Sequence, residues 1–299
     1  MALTLAEALA RVPQWAGAVN LKATPLDGGI TNNNFRIDVG GESFVLRIAG
    51  ADTELLGIDR SVEYAANLAA GRLGIAPEVF YFIQPEGYLI TRFLAGRPIP
   101  PAEIRQPESI RRVMEVLRKI HTMPDIPGTF NVFQVIASYF EIARRYQVAF
   151  PANFSWFIEH IKVTEKALSA RPLTVHPCHN DLLNANFLQT DRIYILDWEY
   201  AGMGDIFFDL ANFSDHHKLT DEQDRWLLQC YFGQVDSARW AHLKLMKVMS
   251  ALHEAAWALV QIGISQLDFD FRLYADEFFE HALVNIQNPD WNEWLKEVG

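Results

Sequence analysis

The spacing of hydrophobic positions changes character near residue 94 of this chain. Before that point, residues 25 to 92 read as short β-rich runs with one helix among them. Asn34 to Val39 and Ser43 to Ile48 flank Gly40-Gly41, a two-residue connection whose glycines accept the positive φ of a tight hairpin. Asp59 to Leu73 carries helical spacing, with Val62, Ala65, Ala66 and Leu73 on one side and Gly74 as the stop. Glu78 to Ile83 and Tyr88 to Phe93 are two further strands, divided by the turn Gln84-Pro85-Glu86-Gly87. Leu94 to Pro101 is rich in Gly and Pro and marks a boundary. Beyond it the pattern turns helical: Pro107 opens a helix with Ile110, Val113, Leu117 and Ile120 on one face. Thr220 and Gln223 form a capping box, and Gly233 closes the helix that follows. The expected architecture is α+β in two lobes: a small β-rich lobe over residues 1–93, a hinge at about 91–98, and a mainly helical lobe over 94–299.

At 299 residues the chain can bury a full core. A formal charge of −11 argues against nucleic acid, whose binding rests on neutralising phosphates with Lys and Arg. The same charge is compatible with a small cationic partner. Cys178 and Cys230 form no disulfide framework and no metal-ligand spacing; Cys178 reads as a small buried residue. The N-terminus has no basic segment ahead of an apolar run, so no signal peptide is expected. The most apolar stretch, Leu243 to Ile264, is interrupted by Lys244, Lys247, His253 and Glu254, which suits a core helix and not a membrane span. The expected location is the cytoplasm.

Candidate chemistry lies between residues 178 and 204. His179-Asn180-Asp181 is followed by Asn184 and Asn186, then by an apolar strand that ends in Asp197-Trp198-Glu199-Tyr200. An Asp, an Asn five residues later and a second Asp at the end of the next strand are how kinase-type phosphotransferases assemble a base and a magnesium site. On this pattern Asp181 takes the hydroxyl proton, while Asn186 and Asp197 offer the few hard oxygens that Mg²⁺ requires from protein. His179 reads as a brace for the loop, and Asn184 carries no role.

These segments resemble the choline/ethanolamine kinase family, within the kinase-like group that includes the aminoglycoside phosphotransferases. The similarity runs from about Leu26 to about Ser265. It is carried by Gly28-Gly29-Ile30-Thr31-Asn32-Asn33-Asn34-Phe35, by His179 to Asn186, and by Ile195 to Phe213. The resemblance implies an ATP- and Mg-dependent transfer of phosphate to the hydroxyl of a small cationic amino alcohol, choline or ethanolamine first. It implies a nucleotide loop containing Gly29, Thr31, Asn32 and Asn33, with Arg47 in Phe44-Val45-Leu46-Arg47-Ile48 on the phosphates and Glu63 as its partner. The base of the nucleotide would meet the hinge at Thr91 and Phe93, mainly through backbone groups, which leaves ATP and GTP undistinguished. Asp209 matches an Asp that ties the catalytic loop to its support. Glu199, Tyr200, Asp215 and Trp257 would receive the ammonium group, since ring faces and carboxylates suit a cation that donates few hydrogen bonds. One turn before Trp257 the family often has a second Trp, and this chain has Glu254, a departure that favours ethanolamine or another amine. Thiamine kinase, aminoglycoside phosphotransferase and a non-catalytic nucleotide-binding module are the competing readings. Acidic residues at Asp215, Asp221, Glu222, Asp224, Glu254, Asp268 and Asp270 keep the aminoglycoside reading open.

Overall fold

A computed structural model describes residues 3–26, 32–50 and 53–299. The chain enters through a short helix, α1 (Leu5–Ala10), held by a capping box between Thr4 and Glu7. Strands β1 (Lys22–Leu26), β2 (Asn32–Val39), β3 (Glu42–Ala49), β4 (Val79–Ile83) and β5 (Tyr88–Arg92) form an antiparallel sheet in the order β1-β2-β3-β5-β4. Gly40 and Gly41, at φ +61° and +83°, make the tight β2–β3 connection that the sequence predicts. Side chains of a strand alternate between faces. In β3 this sends Phe44, Leu46 and Ile48 into a small core with Trp15, Ile37, Ile83, Tyr88 and Ile90. Arg47 therefore emerges on the other face.

Helix α2 (Arg60–Arg72) follows, capped by Asp59, whose carboxylate accepts the N–H groups of Ser61 (2.8 Å) and Val62 (3.3 Å). Its buried residues are Glu63, Ala66, Asn67 and Ala70. This differs from the expected face of Val62, Ala65, Ala66 and Leu73; Leu73 is exposed. The face is turned because a buried carboxylate with cationic partners, not apolar spacing, sets it.

After Arg92 the chain crosses through β6 (Arg97–Pro98) and α3 (Pro101–Ile104) into a helical assembly. This comprises α4 (Pro107–His121), α5 (Val132–Arg145), α6 (Phe154–Leu168), α7 (Ile206–His216), α8 (Asp221–Phe232), α9 (Ser237–Ile264), α10 (Phe271–Ile286) and α11 (Trp291–Val298). Helix α8 has the predicted capping box at Thr220, and Gly233 ends it at φ +76°. Helix α9 is the axis of the assembly, packed by α5, α7, α10 and α11 and buried along most of its length. Among the described residues no helix is long and apolar enough to cross a membrane. Between α6 and α7 lie four short strands: β7 (His176–Cys178), β8 (Phe187–Gln189), β9 (Ile193–Ile195) and β10 (Gly202–Gly204). β7 pairs with β10, and β8 pairs with β6 and β9. Two loops leave these strands on the side of the sheet, residues 179–186 and 196–201.

Candidate active site

The first loop is held through its backbone N–H groups by side chains of α7. Asp209, in the first turn of α7, accepts hydrogen bonds from the N–H groups of His179 (2.9 Å) and Asn180 (2.7 Å) and from Nε2 of His121 (3.0 Å). Burial pushes the Asp209 carboxyl up, but the His121 hydrogen bond and the neighbouring imidazoles outweigh it and hold the group below its ordinary range. Asn212, one turn further along α7, accepts from the N–H of Leu182 (2.6 Å) and donates to Ser250 of α9 (3.2 Å). Asn180 adopts φ +66° and donates its side-chain amide to the carbonyl of Tyr200 (3.0 Å), joining the two loops. Asn184 donates to the carbonyl of Ile99 (3.0 Å), tying the loop to the crossing segment.

His179 is fully buried, with its ring edge against Trp198. Its Nε2 lies 2.9 Å from the carbonyl of Leu196, and its Nδ1 accepts the N–H of Asp181 (3.2 Å). That pattern assigns the neutral tautomer protonated on Nε2, and burial lowers the imidazole pKa in the same sense. His179 thus braces both loops. Asn186 donates to the carbonyl of Asp181 (2.8 Å) and to its carboxylate Oδ2 (3.0 Å). Burial and the charges of Glu254 and Asp197 push the Asp181 carboxyl well above its ordinary value, opposed by His216.

The second loop faces the sheet. Asp197, at φ +61°, pairs with Arg47, and Arg47 pairs with Glu63. Glu63 also accepts from Arg60 (2.6 Å), and the same Arg60 nitrogen reaches Glu199 (3.0 Å). Asn32 donates to Glu199 (3.0 Å) and accepts from Arg60 (3.2 Å). Burial raises the Glu199 carboxyl, as does Asp197, while the two arginines and Asn32 pull it back.

A third group of side chains lies on α5, α7, α9 and α10 and on the end of the second loop. Nε1 of Trp257 donates to the hydroxyl of Tyr200 (3.2 Å), and the hydroxyl of Tyr139 donates to the carbonyl of Leu56 (2.9 Å). Glu254 has His216 and His253 at 3.4 and 3.3 Å from Oε1, and the Tyr274 hydroxyl donating to Oε2 (2.9 Å). Burial disfavours the ionised Glu254, but the His216 cation and the hydrogen bonds prevail and lower its pKa. Conversely, burial would discharge His216, yet Glu254, Asp181 and Asp215 push it up to about 9. Asp215 is buried, and among the described residues its Oδ2 accepts no hydrogen bond; His281 stands 3.9 Å from Oδ1.

The sequence model of the choline/ethanolamine kinase family matches residues 23–224. The chain belongs to that family. A crystal structure of a choline/ethanolamine kinase family protein from Mesorhizobium loti superposes with a TM-score of 0.84 at 32% identity, covering 98% of this chain and 97% of that one. Protein LicA of Haemophilus influenzae is 29% identical over 220 residues, 70% of this chain. Human ethanolamine kinase 1 is 27% identical over 290 residues, 83% of this chain. The matches span 62% and 63% of the lengths of those two relatives.

Several family-derived expectations need correction. Glu199, expected beside the ammonium, turns towards the sheet and meets Arg60 and Asn32, because it and Tyr200 project from one loop in different directions. Of the loop asparagines, Asn32 is buried with its amide on Glu199, while Asn33 is exposed in β2, as strand alternation requires. Thr91 lies inside the ladder, paired to Val45 and Val79, and Phe93 gives its N–H to Ser43 (3.0 Å). Glu254 is not a waiting carboxylate; His253 and Tyr274 hydrogen-bond it, and His216 stands 3.4 Å from its Oε1. Gly29 and Thr31 fall outside the described residues. Asp221 and Asp224, counted among acids for a polycation, are neutralised by Lys244 (2.8 Å) and Lys247 (2.8 Å). Sequence reasoning missed Arg60, His216, Tyr139, Asn180 and Asn212. Only Arg60 left a signal, its i,i+3 spacing to Glu63.

Proposed function

We propose that this protein transfers the γ-phosphoryl group of ATP to the hydroxyl of a small amino alcohol, with ethanolamine favoured over choline. The observation that carries the reading is the bonded pair Asp181–Asn186, one loop away from an Asp197 reached by Arg47. Those four residues supply a proton acceptor, two oxygen ligands for a cation and a guanidinium for phosphate oxygens. Residues 1–93 would cover the nucleotide, and residues 94–299 would hold the acceptor.

The donor set fits Mg²⁺. The Asn186 nitrogen is committed to Asp181, which leaves its Oδ1 as the free amide atom, and Asp197 adds a carboxylate. Bound there, the ion would neutralise charge on the β- and γ-phosphates. Asp181 would orient the acceptor hydroxyl and take its proton late. A cationic acceptor beside it favours the ionised form. His179 and Asp209 would keep Asp181 in place, and Arg47 would steady the phosphates.

At the acceptor end, the polar edges of Trp257 and Tyr200 are bonded to each other, which leaves their ring faces for a cation. Asp215 has a buried oxygen without a donor among the described residues. A primary ammonium donates to such an oxygen, whereas a trimethylammonium gives only charge attraction. The spent carboxylates of Asp221 and Asp224 weaken the aminoglycoside reading. Mg-dependent ATP consumption measured with ethanolamine, choline, thiamine and kanamycin tests the proposal. Consumption stimulated most by ethanolamine supports it, and stimulation by kanamycin or thiamine alone overturns it.

A further inference from the structure

Five charged side chains form a closed circuit between the sheet and the second loop: Asp197, Arg47, Glu63, Arg60 and Glu199. The circuit closes because Asp197 and Glu199 are two residues apart on one loop. Arg47 and Arg60 share Glu63, one on each carboxylate oxygen. Arg60 does more than repeat Arg47. Through Nη1 it reaches Glu63 and Glu199, and through Nη2 it reaches Asn32, the first described residue after the glycine-rich segment. Its stem is seated as well as its head: a Cβ at Gly87, where φ is +75°, would lie 2.6 Å from the Arg60 Cβ and 2.8 Å from its Cγ. The β4–β5 turn therefore closes on this arginine, whose side chain is 14% exposed.

We infer that Arg60 is a positioning residue for the nucleotide and its metal, an inference that rests on the phosphotransfer reading above. Two carboxylates project from the loop that carries Asp197, and a metal ion would attract both. Arg60 and Asn32 hold Glu199 on the α2 side, so that Asp197 alone is presented. Arg60 also fixes Glu63 from behind, so Glu63 keeps Arg47 aimed when phosphate oxygens draw the guanidinium away from Asp197. Arg60 touches neither phosphate nor acceptor in this account; it acts through Glu63, Glu199 and Asn32. A planar fork is needed for three partners at once, and a lysine at 60 offers a point charge in its place.

The test is steady-state kinetics and calorimetry with a non-hydrolysable Mg·ATP analogue on wild type, Arg60→Ala, Arg60→Lys and Glu199→Gln. Arg60→Ala should weaken nucleotide binding about 10- to 100-fold, the worth of lost charged hydrogen bonds, and raise the Mg²⁺ concentration needed for half-maximal rate. The acceptor constant should move by less than about 3-fold. Arg60→Lys should recover only part of the loss, and Glu199→Gln should cost less than Arg60→Ala, since it weakens one of the three contacts that Arg60→Ala removes. Equal rises in the ATP and acceptor constants, or full recovery by Lys, would overturn the inference and leave Arg60 a purely structural residue. A wild type that binds Mg·ATP but phosphorylates no amino alcohol would defeat the functional reading instead, and the nucleotide titration would still judge Arg60.

Discussion

Asn186 directs its side-chain nitrogen at Asp181 twice, at the backbone carbonyl (2.8 Å) and at Oδ2 (3.0 Å). One amide thus fixes the rotamer of the proposed base and leaves its own oxygen for the proposed cation. The orientation of the base and the metal ligand is therefore one event, and it requires the loop to hold its shape. That shape is set from below by Asp209 and Asn212, one turn apart on α7, each capturing backbone N–H groups.

Asp181→Asn keeps an oxygen for Asn186 to bond and removes only the proton acceptor. Turnover should fall by about 10²- to 10⁴-fold, the usual worth of a positioned base, with ATP affinity unchanged. A variant that retains a tenth or more of the wild-type rate would show that Asp181 is not the base.

Asp209 links the catalytic loop to the fold's acid stability. Its pKa is depressed in the folded protein, so its contribution is complete above the unfolded value of 3.8 and is lost as pH falls through the lower folded value. Asp209→Asn leaves two backbone N–H groups and His121 with a weaker acceptor. The variant should lose about 2–4 kcal/mol at pH 7 and show a shallower decline in stability below pH 4 than wild type. Urea melts at pH 7 and pH 3.5 check this; parallel pH profiles would contradict it.

His216 acts at the opposite end of the pH scale. Its folded pKa is raised to about 9, so the stability it contributes is complete below 6.5 and declines as pH rises through 9. Its charge faces Glu254, Asp215 and Asp181, with His253 and Tyr274 on the same carboxylate as His216. Wild type should therefore lose on the order of 3 kcal/mol between pH 6.5 and 9.5 that His216→Gln does not lose. Thermal melts of both proteins across that range decide it, and an identical slope would mean that His216 is neutral at pH 7.

What could be read in the sequence was what lies close together in the chain or obeys a period. Asp181, Asn186 and Asp197 belong to one short stretch, and the Gly40-Gly41 hairpin, the Thr220 capping box and the Pro107 helix each carry a local cause. Arg47 with Glu63 came from the family resemblance, which pairs a cation on that strand with a carboxylate on the following helix. Arg60 was not legible, because a charged residue at the start of a helix has an ordinary solvated explanation; only the fold shows Glu199 and Asn32 arriving from residues far away in sequence. The α2 face was misjudged for the same reason, since hydrophobic spacing cannot register a buried ion pair. Glu199 and Glu254 were placed by analogy of position, and their partners, Arg60 and His216, were the residues that analogy did not supply.

The unpartnered oxygen of Asp215 yields the sharpest statement about the acceptor. If an ammonium N–H fills it, Asp215→Asn replaces a charged acceptor by a neutral one, and the loss is one charge-assisted hydrogen bond, about 1.5–3 kcal/mol. The ethanolamine constant should then rise by about 10- to 100-fold, while the choline constant, which rests on the faces of Tyr200 and Trp257, rises less. Tyr200→Leu or Trp257→Leu should do the reverse, raising the choline constant by about 2- to 30-fold. Glu254→Trp should not convert the site to choline, because it strips His216 and Tyr274 of the carboxylate they share. Specificity constants for both alcohols in the four variants separate these effects. An Asp215→Asn variant that weakens choline and ethanolamine equally would mean that the oxygen senses charge alone, and the preference for a primary ammonium would have to be abandoned.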